Sequence, residues 1–135
     1  MPHSHPSLRR PILPEQLLAE FDALWSRCRG LRGGPRPKIA LSGPLGTTHC
    51  RNARRYAEVD CARRFFYFAP QVLELPLPNR RGLIGHEIGH VVMFERVGNH
   101  SEADADAAAL FHVGVNVHYD GRWPGRGLQT GRLVS

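Results

Sequence analysis

The sequence predicts one α+β domain, on three observations. Two stretches carry apolar residues at helical spacing, short aromatic and β-branched runs lie between them, and the apolar content suffices for one core. The chain has 135 residues, 41% of them apolar, close to the size of an average domain. The domain is expected over 15–120, with 1–14 a disordered lead-in and 121–135 a flexible C-terminal tail. No run approaches the about 18 apolar residues of a membrane span, so a soluble or peripherally bound protein is expected. Arg9 and Arg10 are followed by no apolar segment, which argues against a secretory signal.

Pro14 opens the first helix. Leu17, Leu18, Phe21, Leu24 and Trp25 recur at helical spacing, with acids in the early turns. Gly30 and Gly33-Gly34-Pro35 stop it. Lys38-Ile39-Ala40-Leu41 is a short strand closed by Ser42-Gly43-Pro44, and Gly46 to Asn52 reads as a loop. Two more strands follow, Arg54 to Val59 and Arg63 to Ala69, joined as a hairpin at the polar break around Asp60. The run Phe65-Phe66-Tyr67-Phe68 in the second of these is expected to be core.

Pro70, Pro76 and Pro78 predict an irregular path up to Asn79, and the helical pattern resumes at Arg80. Leu83, Ile84, Ile88, Val91 and Val92 form its apolar side, with Phe94 at the margin and Gly98-Asn99 as the stop. Ser101 is the expected N-cap of a further helix, with Asp104 as its capping-box partner. That helix runs through the alanines to about Val113 and ends at Gly114. Val115 to Tyr119 is a last strand, and the Gly and Pro residues after Asp120 predict the loose tail.

Charge and cysteines narrow the function classes. The formal charge is +6, and Lys38 is the only lysine. A basic surface attracts nucleic acid or acidic substrates. No aromatic-plus-basic motif of an RNA-binding type accompanies it, so nucleic acid is a minor expectation. Cys28, Cys50 and Cys61 are odd in number and lack C-x-x-C spacing, which predicts free thiols in a reducing, cytoplasmic compartment.

The strongest chemical signal is His86-Glu87-Ile88-Gly89-His90. Residues four apart lie on one helix face about one turn from each other, so both imidazoles aim at a common point. Glu87 is next to His86 and reaches the same neighbourhood without being a ligand. Two imidazoles with an adjacent carboxylate suit a zinc site with a general base beside the metal-bound water. Apolar residues flank the motif on both sides, as a buried helix requires, and Gly89 leaves room for another backbone to pack closely. A catalytic zinc takes three protein ligands, and the best source of the third is the acidic stretch from Ser101 to Ala107.

The pairing of His86-Glu87-Ile88-Gly89-His90 with Glu102-Ala103-Asp104-Ala105-Asp106 resembles the gluzincin metallopeptidases. The small size also resembles the minigluzincins and the ImmA/IrrE-type domains. The resemblance implies a zincin-like α+β fold: an N-terminal helix, a short mixed or antiparallel sheet, an active-site helix and a following glutamate helix. It implies Zn2+ held by His86, His90 and Glu102, with Asp106 supporting a zinc histidine. The implied activity is hydrolysis of a peptide or protein substrate, with Glu87 as general base. Only eleven residues separate His90 from Glu102, a short gap, so Asp106 competes for the third position, with His100 and His112 further outside. Tyr119 and His118 are candidates for stabilising an oxyanion on position alone. The rival class is a non-catalytic, zinc-containing regulatory or binding module with a nucleic-acid or protein partner.

Overall fold

A computed structural model of the chain describes residues 10–41, 56–121 and 128–134. Expectations for residues 1–9, for the 46–52 loop with His49 and Cys50, and for Arg54 lie outside the described residues.

Helix α1 (Pro14–Arg27) begins with a proline, whose missing N–H would have had no intrahelical partner. Gln16 Oε1 accepts from the Leu13 N–H at 2.7 Å and closes the first turn. Leu17, Phe21 and Leu24 form its buried stripe. Ahead of the helix, the Ile12 N–H donates to the Leu73 carbonyl, so the lead-in is tied to the domain from that point.

Strands β1 (Lys38–Leu41), β2 (Ala57–Asp60) and β3 (Phe65–Phe68) form a sheet of order β1-β3-β2. β3 pairs in parallel with β1 and antiparallel with β2. Successive side chains alternate between faces of a strand, and here both faces are aromatic. Phe66 and Phe68 meet Phe21 of α1 edge-on, at ring separations of 4.7 and 6.4 Å. Phe65 and Tyr67 stack on the other face at 4.6 Å. Phe66, Tyr67 and Phe68 of the run are buried, while Phe65 at its start is half-buried.

A 3-10 turn (Pro70–Glu74) leads into the 21-residue helix α2 (Leu77–Val97). The irregular path expected up to Asn79 is thus corrected: the helix starts three residues before Arg80. Pro78 lies in its first turn, where a missing N–H costs no hydrogen bond. Arg80 is buried and held by both carboxylate oxygens of Glu20, at 2.6 and 2.7 Å. From Asn79 to Val92 all residues but Arg81 and His90 are buried, so α2 is the axis around which the other elements pack. Phe94, expected at the apolar margin, is exposed.

Gly98 ends α2 with φ +83°, and α3 (Glu102–Ala108) follows after a short turn. Ser101 Oγ accepts from the Asp104 N–H, and the Asp104 carboxylate accepts from the Ser101 N–H. A π-helical turn (Ala109–Val113) completes the helix and stops at Gly114. Strand β4 (Val115–Tyr119) then pairs antiparallel with β5 (Gln129–Leu133).

Strand β5 corrects the expectation of a flexible tail over 121–135. Gln129–Leu133 is a paired strand whose Gly131 meets Gly82 of α2 backbone to backbone, with no room for a Cβ at either. Asn79 donates to the Gln129 carbonyl at 2.8 Å, and Arg27 donates to the carbonyls of Val113 and Val134. The segment carries no local strand signal, because β4 and the glycine contact with α2 are what hold it. Among the described residues no helix is long and apolar enough to cross a membrane.

Candidate metal centre

The centre is built on α2, whose packing fixes where two imidazoles point. Ile84, Ile88, Val91 and Val92 are fully buried, which leaves His86 and His90 on the face turned towards α3. Their Nε2 atoms lie 3.0 Å apart, with the rings nearly perpendicular.

Close approach of the two helices brings the third group. A Cβ on Gly89 would fall inside the Ala105 carbonyl oxygen, so α3 rests directly on the glycine. Ala105, Ala108 and Ala109 are buried along the same seam. Glu102 lies one turn before Ala105. Its Oε1 is 3.0 Å from His86 Nε2 and its Oε2 is 3.2 Å from His90 Nε2. Eleven residues suffice for this link: α2 runs on to Val97, a short turn reverses the chain, and Ser101 caps α3.

These three residues can hold a metal ion. Donor atoms about 2.0–2.1 Å from one ion at tetrahedral angles stand about 3.3–3.4 Å apart, close to the separations found. Two imidazoles and a carboxylate suit a divalent first-row metal. The Glu102 side chain is 59% exposed, so the centre opens to solvent on that side.

Asp106 lies one turn beyond Glu102 and behind the ring of His86. Its Oδ1 is 2.6 Å from His86 Nδ1. Asp106 is therefore at the outer nitrogen and not at the convergence of donors. The Tyr119 hydroxyl donates to both Asp106 oxygens, at 3.1 and 2.8 Å. Tyr119, a candidate for stabilising an oxyanion on position alone, directs its proton to Asp106. His118 is exposed. His112 packs over Gly30 and Phe111 and is not among the converging groups.

Burial favours the neutral form of both site histidines. At His86 the Asp106 and Glu102 carboxylates overcome it and push the imidazole up to about 9. At His90 burial is reinforced by the neighbouring His86 and brings it down to about 4. Without a metal ion, the carboxylates thus favour a proton on His86 over one on His90.

Glu87 is 6% exposed and sits beside His86 on α2. Its charge acts on both His86 and Cys61. The Cys61 thiol is pushed up to about 12, chiefly by burial. Cys28 and Cys61 are free thiols.

One residue of the centre stands in the sequence only at the edge of the ligand set. His100 Nε2 lies 2.8 Å from His90 Nδ1, and His100 Nδ1 lies 2.8 Å from the Gly98 carbonyl oxygen. Its position in the link between motif and N-cap was the available signal. Comparison with protein-family models, with curated proteins and with solved structures finds no match to this chain.

Proposed function

We propose that this chain is a zinc metallopeptidase with a zincin-like fold, hydrolysing peptide bonds in a peptide or protein substrate. The observation that carries the reading is the mutual spacing of His86 Nε2, His90 Nε2 and the Glu102 carboxylate, 3.0 to 3.2 Å, on one open face. Helix, small sheet, long motif helix and glutamate helix also follow one another in the order the resemblance implies.

His86, His90 and Glu102 would hold the ion, and Asp106 would keep a proton on His86 Nδ1 so that Nε2 presents its lone pair. Zinc, when bound, supplies Lewis acidity that polarises a carbonyl and lowers the pKa of water to about 7. Glu87 acts as general base. It takes a proton from the attacking water as the C–O bond forms, and returns it to the amine nitrogen as the C–N bond breaks. Glu87 is buried and its charge acts on His86.

Replacing Glu87 by Gln tests the assignment. The variant is expected to bind zinc as the wild type does and to lose hydrolysis of a peptide library by about 100-fold or more. Full activity in Glu87→Gln would remove the general base from the mechanism. Salt-steep DNA binding without cleavage of any peptide would favour the non-catalytic binding module.

A further inference from the structure

The geometry points to His100 as a positioning residue that fixes the tautomer of His90. This inference rests on the metal-centre reading above and adds a residue that the two sequence motifs do not contain.

Proton accounting along three atoms carries it. The Gly98 carbonyl oxygen can only accept, so the 2.8 Å contact makes His100 Nδ1 the N–H of that ring. When His100 is neutral this is its single N–H, and its Nε2 is then an acceptor. The 2.8 Å contact to His90 Nδ1 then requires the proton to sit on His90 Nδ1. His90 Nε2 is left with its lone pair directed at His86 Nε2 and Glu102, where a cation would be held. The other His90 tautomer would set two lone pairs against each other at 2.8 Å and turn the Nε2 acceptor into an N–H pointed at the Glu102 carboxylate, where a cation would be held.

The support chain is thus made twice, by different means. His86 is oriented by Asp106, itself held by Tyr119 from β4. His90 is oriented by His100, itself held by the carbonyl of the glycine that ends α2. Gly98 has φ +83°, a conformation that side chains rarely adopt, and its carbonyl faces His100. The turn that reverses the chain between motif helix and glutamate helix therefore also sets the protonation pattern of the second histidine.

The test uses the full chain as wild type, His100→Phe and His100→Gln. Phe keeps the ring and removes the acceptor; Gln restores a carbonyl acceptor near the place of Nε2. Long-range 15N–1H spectra of the metal-free proteins report the His90 tautomer directly. Wild type and His100→Gln are expected to show Nδ1–H, and His100→Phe a shift towards Nε2–H. Zinc affinity, measured by chelator competition, is expected to fall about 10–100-fold in His100→Phe and to be largely restored in His100→Gln. An Nε2–H His90 in the wild type, or unchanged zinc affinity in His100→Phe, overturns the assignment. If His100→Phe fails to fold, the wild-type spectrum still decides. Absence of stoichiometric zinc in the wild type would count against the metal centre, while the metal-free spectrum judges His100 on its own.

Discussion

Two imidazoles with Nε2 atoms 3.0 Å apart cannot both carry a charge, and their neighbours decide which one does. Asp106 and Glu102 hold His86 up to about 9; burial and the adjacent charge bring His90 down to about 4. A ligating imidazole must be neutral, so a metal ion has to displace the proton on His86. The sign follows: near neutral pH, His86 of the metal-free protein is charged and His90 is already neutral. Zinc uptake is therefore expected to release about one proton per ion from His86 near pH 6, below the range in which water on zinc ionises. Calorimetry in buffers of different ionisation heat counts those protons; none at pH 6 would show that His86 is not held charged. The positions of His86 and His90 were legible in the sequence because spacing within one helical turn needs no knowledge of the fold. Glu102 and Asp106 were pointed to by the resemblance to the gluzincins, and spacing alone left the two competing for the third position. The roles of His100 and Tyr119 were not legible, because their partners are fixed by the Gly98 turn and by the path of β4.

At the scale of elements, the seam between α2 and α3 decides whether Glu102 reaches the histidines. Gly89 makes that seam, since the Ala105 carbonyl occupies the space a side chain would need. Gly89→Ala is expected to push α3 outwards, abolish stoichiometric zinc binding and cost about 1–3 kcal/mol of stability in the metal-free protein. Metal analysis and urea unfolding of the variant check both effects; an unchanged zinc content would show that the close seam is not required. The two ends of α3 were readable from its caps, Ser101 with Asp104 and then Gly114. The start of α2 was not, because three prolines read as an irregular path although Pro78 lies where a helix tolerates it. β5 was missed for a different reason. Gln129–Leu133 has little apolar alternation of its own and is held by β4 and by a glycine contact with α2.

Over the whole molecule, the mixed α+β architecture and the core aromatics of β3 followed from pattern and length, while strand order and the closing hairpin depended on contacts distant in sequence. The candidate centre links α2 to α3, and β4 supports it through Tyr119. An ion bound there binds the folded chain and not the unfolded one, so its removal should lower stability. The most direct test is metal analysis of the wild type beside His90→Ala and Glu102→Ala, with circular dichroism to show that each variant folds. One zinc per wild-type chain and none in either folded variant is the predicted result. A wild type without stoichiometric metal, or a Glu102→Ala variant that retains its zinc in full, would contradict it.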